Sequence, residues 1–423
     1  MRKLIMTVAL LAMVGGANAQ KGNVTRAWAK ANAETPNLKD AVSEITPALT
    51  NDETKGLAKT WYYAAMIMMK NYESEYKNKA LGTKFDADNL YNSIAKEYEY
   101  FMKCNEIDIL PDEKGKVKPK YTKDIRANLL MCRNSFIDAG NYYSTPEKKD
   151  YAAASKAFET YLSYVGLPVM EPLTKKDEPL KKDTLYYQIV FWAGYSSYNV
   201  FLDKKDPAMA EKSVKYMRLA LDEGYGYTDD VKKASFQILD AGFDANKDTV
   251  SRITYLDKAI AAFPSDGDFY KQLLNIYLRR NDIPKAMECL DKSIAINPKD
   301  ADMYEIKGQL LETKEDFEGA VASYQKAIDV DPNMTTSYGN LGRVYYNMAA
   351  KEQMKAADIK DVKKYNEQMA KAKPYFEKAA PCFEKFREAN PDDKDNLKAL
   401  RTIYYNLNQG AKFDELDKII GDK

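Results

Sequence analysis

From Pro264 onward, apolar and small side chains recur in a pattern that is helical within each segment and repeats between segments. Ala301 to Pro332 shows it most fully, with Tyr304, Lys307-Gly308, Leu311, Ala320, Tyr324, Ala327 and a closing Pro332. Spacings of three, four and seven residues put these positions on one face of each of two helices, about 14 residues long. Gly308 and Ala320 are small where the two helices cross, and larger side chains there push them apart. Tyr304, Leu311 and Tyr324 fill the space on either side. Pro332 stops the second helix and turns the chain. Counting back from Pro332 in steps of about 34 residues reaches Pro298 and then Pro264. Between those prolines the same places hold Tyr270, Leu273, Tyr277, Ala286, Leu290 and Ser293. After Pro332 they hold Tyr338, Leu341-Gly342 and Tyr345.

Three successive registers with one period resemble the tetratricopeptide-repeat family, and the resemblance extends weakly over most of the chain. It implies an all-α fold, a right-handed α-solenoid of helical hairpins in which each repeat contacts only its neighbours. The expected organisation is a leader at 1–19, a degenerate helical array at 20–262 and a regular array at 263–423. The latter carries a helical insertion near 349–373.

The N-terminal part repeats the hairpin pattern loosely. Leu38, Ala41, Ile45, Ala48 and Leu49 form a capping helix, with Pro47 disturbing it. Ala58 to Met69 and Asp86 to Lys103 form a pair, and the stripe Met66, Met68, Met69 reads as core packing. A loop is expected at Asn105 to Lys120. Next comes a pair with Phe136, Ala139-Gly140 and Tyr143, then Tyr151, Ala154, Phe158 and Tyr161, its first helix extended toward Ile125. Val165 to Lys182, with three prolines, reads as an exposed connection. Leu185 to Leu202 pairs with Ala208 to Leu221, and a degenerate pair spans Asp229 to Phe263. Near the end, Pro391 lies 59 residues after Pro332, so about 25 residues are inserted, rich in helix formers. The last pair, Asn396 to Ile420, ends in a polar tail.

The first nineteen residues differ from the rest. Met1-Arg2-Lys3 is basic, Leu4 to Val14 apolar, and Ala17-Asn18-Ala19 small. This is the layout of a cleaved export signal, with no cysteine after the cleavage point to take a lipid. Without Arg2 and Lys3 the chain holds 62 basic and 63 acidic residues, a net charge near −1. That balance gives no electrostatic argument for nucleic acid or anionic lipid as partner, and neither is expected. The expected location is the periplasm of a Gram-negative bacterium, or its outer membrane or exterior, with no membrane span in the mature chain. The repeat style also resembles secreted repeat proteins of the Bacteroidota.

Export permits disulfides, but Cys104 and Cys132 fall on neighbouring helices about ten residues out of level. That is roughly 15 Å at the α-helical rise, too far for a bridge. Free thiols are therefore expected there and at Cys289 and Cys382. The chain has no histidine, which removes Ser-His-Asp and Cys-His catalysis and imidazole metal sites. The carboxylate pairs Asp229-Asp230 and Asp392-Asp393 sit at helix starts, where acidic residues serve as caps. No catalytic residue, metal site or cofactor is expected.

The resemblance implies a concave surface lined by exposed residues of each first helix, binding partner proteins or peptides. Here those residues are Lys271 and Asn275, then Glu305 and Gln309, then Arg343, Tyr346 and Asn347. Lys271 and Asn275 match the opening of the carboxylate clamp that some family members use. Ile306, Thr336 and Asn340 stand where the remaining clamp residues belong, so capture of a C-terminal carboxylate is not expected. The 32 tyrosines favour an interaction surface. The leading expectation is a non-enzymatic scaffold in the cell envelope that uses the groove or the inserted hairpin, with self-association left open. The alternative is a solute- or glycan-binding accessory of an outer-membrane uptake system.

Overall fold

The computed structural model describes residues 21–171, 180, 182–223 and 227–421. The export leader expected at 1–19 lies outside the described residues. Those residues form helices and turns, with no strand among them. Contacts divide the chain into two compact units, one ending at Asp248 and the other beginning at Thr249. The helix pair expected across 229–263 is therefore shared between them.

The first unit runs through α1 (21–31), α2 (Leu38–Ile45), α3 (Ala58–Ala80), α4 (Ala87–Asp108), α5 (Thr122–Cys132), α6 (Ser135–Tyr143), α7 (Tyr151–Ser163), α8 (Thr184–Lys204), α9 (Pro207–Asp222) and α10 (Asp229–Ala245). Helices α3 and α4, α6 and α7, and α8 and α9 form packed hairpins. Pro47 converts the end of α2 into a tight turn over Thr46–Leu49, because its ring cannot sit mid-helix. Met68 and Met69 are buried, so the methionine stripe packs into the core.

Three local expectations need correction. Helix α4 runs past the expected loop start, through Asp108. The Asp108 carboxylate then accepts the backbone N–H groups of Lys120, Tyr121 and Thr122 at 2.9, 2.6 and 3.0 Å, holding the start of α5. The helix expected to run unbroken from Ile125 to Tyr143 is interrupted at Arg133 and Asn134. There the Arg133 guanidinium turns inward and lies 4.0 Å from the Tyr161 ring centroid. Of the connection expected at Val165 to Lys182, residues 172–179 and 181 lie outside the described residues, and the described part is not simply exposed. Val169, Met170 and Leu180 are buried in the core, and Arg126 Nε donates to the Val169 carbonyl at 2.6 Å.

The second unit contains α11 (Thr249–Ala262), α12 (Gly267–Arg279), α13 (Ile283–Ile296), α14 (Ala301–Thr313), α15 (Phe317–Val330), α16 (Thr335–Met354), α17 (Val362–Ala370), α18 (Lys373–Ala389), α19 (Lys394–Asn406) and α20 (Gly410–Gly421). Hairpins α12/α13, α14/α15, α16/α18 and α19/α20 follow in chain order. The inserted residues lengthen α16 and add α17, which buries none of its own residues. Gln368 of α17 donates to Glu352 Oε2 of α16 at 2.8 Å. Pro374 lies in the first turn of α18, where its missing N–H costs nothing, while Pro381 lies inside the helix.

Small-against-aromatic crossings set the hairpin spacing. A methyl group added at Gly308 meets the Tyr324 ring at 2.6 Å, and one at Gly342 meets Phe383 at 3.0 Å. Gly140 sits in the same way beneath Phe158. Four of the hairpin turns also share a device that the hydrophobic pattern does not show. Lys149, Lys205, Asn281 and Glu315 adopt left-handed φ values of 48°, 54°, 55° and 58°. Each is followed at once by an aspartate that caps the next helix: Asp150, Asp206, Asp282 and Asp316.

Candidate interaction groove

The second unit contains a groove of about 580 Å³ bounded by α14, α16, the end of α18 and the start of α19. Glu305 and Gln309 come from α14, and Arg343, Tyr346 and Asn347 from α16. These residues share a wall because first helices of successive repeats stack, and residues four apart fall on one face. Phe383, Phe386, Asp393, Asp395, Asn396 and Ala399 form the opposite side. Gly339 keeps the floor open, since a side chain there strikes the Phe386 ring at 2.8 Å.

Five of the seven residues expected from the sequence thus line one groove. Lys271 and Asn275 do not. Lys271 Nζ pairs with Asp300 Oδ2 at 2.7 Å, joining α12 to the residue before α14. That hydrogen bond raises the Lys271 pKa above its ordinary value. Asn275 is exposed on α12.

Glu305 corrects the expectation of an exposed side chain, because it is buried. Its Oε2 accepts from Thr336 Oγ1 at 2.9 Å and Ser337 Oγ at 3.0 Å. Its Oε1 accepts from Asn340 Nδ2 at 3.0 Å and from Gln309 Nε2 at 3.4 Å. A buried carboxylate is stable only when hydrogen-bonded this fully. Thr336 and Asn340, the positions that depart from the carboxylate-clamp pattern, therefore hold a carboxylate of the chain itself. Arg343 is committed as well: Nε donates to Glu312 Oε1 at 3.0 Å and Nη2 to Oε2 at 2.8 Å. Those bonds raise the Arg343 pKa further. Tyr346 meets the Phe376 ring edge-on at 5.9 Å.

A second cavity, in the first unit, is one that the sequence pattern does not show. It has a volume of about 480 Å³, with Trp61, Tyr91, Tyr98, Phe136 and Tyr143 among its walls. Asn92 and Thr160 supply polar groups, and Lys103, Lys156, Glu99 and Glu106 balance in charge around it. The repeat pattern places Tyr98, Phe136 and Tyr143 in the helical core. Their outer faces become visible only with the placement of α7.

Among the described residues, no group of three or more metal-ligating side chains comes together. No helix there is long and apolar enough to cross a membrane. All four cysteines are free, three of them buried and Cys382 half-buried.

Residues 308–348 match the family profile described as TPR repeat. No curated protein matches the chain. Among solved structures, the chain is similar to a TPR repeats protein from Bacteroides fragilis NCTC 9343. Identity is 19%, with 64% of this chain and 98% of that chain covered and a TM-score of 0.27. It is also similar to the C-terminal part of a TPR repeat-containing protein from Cytophaga hutchinsonii. There identity is 18%, coverage 64% and 93%, and the TM-score 0.40. A third is residues 41 to the end of MamA from Desulfovibrio magneticus RS-1, at 16% identity, 48% and 97% coverage and a TM-score of 0.34.

Proposed function

The chain belongs to the tetratricopeptide-repeat proteins, and from that premise we propose that it is a non-enzymatic interaction scaffold of the bacterial cell envelope. Partner proteins or peptides enter the groove between α14, α16 and α19. The observation that carries this reading is the convergence of Glu305, Gln309, Arg343, Tyr346 and Asn347 on one concave wall opposite Phe383 and Phe386. Concave sites with an apolar floor and a few fixed polar groups are where ligands bind. The leader-like residues 1–19 support export, and a chain without histidine lacks the commonest general base.

Site-specific photocrosslinking in the producing bacterium tests both place and mode. A photoreactive residue at Asn347 samples the groove, and one at Lys363 samples α17. Adducts with defined envelope proteins at position 347 alone are the expected result. Adducts at position 363 alone move the site to the inserted hairpin. Cytoplasmic fractionation of the chain overturns the envelope assignment.

One observation favours a second reading, a solute- or glycan-binding accessory: the aromatic cavity of the first unit. A ligand that binds only the folded chain raises its melting temperature. Screening with neutral saccharides, repeated on Ala157→Trp to fill the cavity, decides it. A shift lost in the variant supports this reading, and no shift in either protein removes it.

A further inference from the structure

We infer that the groove of the second unit selects a partner segment presenting a lysine or arginine beside an apolar side chain. This inference rests on the groove reading above and adds the chemistry of its occupant.

The charges lining the groove divide into those already used and those left open. Arg343 is the cation among the lining residues, and its fork closes on Glu312. Glu305 is filled by four donors from α14 and α16. What remains open accepts hydrogen bonds. Asp393 caps α19 through one carboxylate oxygen, taking the Asn396 N–H at 2.8 Å. Its other oxygen has no partner among the described residues. Asp395 is 98% exposed and has Lys398 only at 4.0 Å. Asn396 is 4% exposed; its Nδ2 donates to the Phe383 carbonyl at 3.3 Å, and its Oδ1 has no donor among the described residues.

A partner carboxylate placed here meets two carboxylates and an amide oxygen, with no cation free among the lining residues to receive it. The α19 N-terminus contributes roughly half a positive charge, which two aspartates outweigh. Ammonium and guanidinium groups carry donors and no acceptors, so they fit this lining. Phe383 and Phe386 on the same wall give the aliphatic stem of such a side chain an apolar seat and its cation a ring face.

The test is selection of a displayed library of random dodecapeptides on the full chain. Enriched peptides are then labelled with fluorescein and titrated by anisotropy. Ala399→Trp and, from the opposite wall, Gln309→Trp block the groove. The pair Asp393→Asn/Asp395→Asn removes its open charges, and asparagine is as good a helix cap as the aspartate it replaces. Circular dichroism melting checks the fold of each variant. The expected peptides are rich in lysine or arginine, lose binding to both blocked variants, and bind the asparagine pair about five-fold more weakly. Neutral or acidic peptides that bind the open groove but not the blocked one, or indifference to the asparagine pair, overturn the cation preference and leave the groove reading intact. No enrichment, or binding unaffected by either tryptophan, overturns the groove reading and this inference with it.

Discussion

Arg343 and Glu312 form a two-pronged ion pair between successive hairpins, with donor–acceptor distances of 3.0 and 2.8 Å. Tyr324 Oη donates to the same carboxylate at 3.2 Å. An arginine that sequence spacing marks as a partner contact is therefore a strut between repeats. Half of its side chain remains in solvent, so its removal costs about 0.5–1 kcal/mol by the measure of surface pairs. Urea denaturation of Arg343→Ala should show that small loss with an unchanged m-value. If the groove takes cationic peptides, the same variant should bind them more tightly.

Glu305 carries more weight. Glu305→Ala leaves Ser337 Oγ, which is buried, and the side chains of Thr336 and Asn340 without their acceptor. The expected loss is about 2–3 kcal/mol. Hydrogen exchange should show faster opening of α14 and α16 before α12 and α13. A loss spread evenly over the second unit would mean that the carboxylate does not hold this particular seam.

Gly308→Ala forces its methyl group onto the Tyr324 ring, which is fully buried. Overpacking of this kind costs about 1–3 kcal/mol. In a double-mutant cycle with Tyr324→Leu, the two changes should couple favourably by more than about 0.5 kcal/mol. Additive losses would show that the ring and the glycine do not share the crossing.

Glu97 makes the stability of the first unit depend on pH. Burial raises its pKa from 4.5 to about 8, the neighbouring Cys132 thiol opposes the rise, and nearby Glu73 adds to it. The folded state therefore keeps a proton that the unfolded chain has already released. This contribution is fully present below about pH 4.5 and is lost progressively as pH rises to about 8. Melting temperature against pH should fall across that window in the native chain. Glu97→Gln should flatten the curve there.

The turn at Glu315 offers a gain. A side chain in the left-handed region carries a steric cost of roughly 1 kcal/mol that glycine avoids. Glu315→Gly gives up only a long, exposed pair with Lys351. Denaturant midpoints should rise slightly. A fall would show that the entropy of a more flexible unfolded chain outweighs the relieved strain.

The repeat cores could be read from residue order because they depend on size at fixed intervals. Gly308 against Tyr324 and Gly342 against Phe383 are such pairs, and the second spans the insertion. The groove was legible only on its α14 and α16 side. Its far wall, from Phe383 to Ala399, lies beyond the insertion, where counting by the repeat loses register. Periodicity places Glu305 and Lys271 on the groove-facing side of their helices. It does not reveal that Ser337 and Asn340 draw one inward or that Asp300 holds the other. The aromatic cavity of the first unit depends on neighbouring second helices, a relation that a single-hairpin pattern does not encode.

The left-handed residue and aspartate at these four turns have a consequence for how this protein can change over generations. Glu315 and Asp316 close their turn by local geometry, and neither lines the groove. Chain reversal and the groove lining are thus written in separate letters of this repeat. A lineage can recast its binding face, or duplicate a hairpin whole, without having to rediscover how the chain turns.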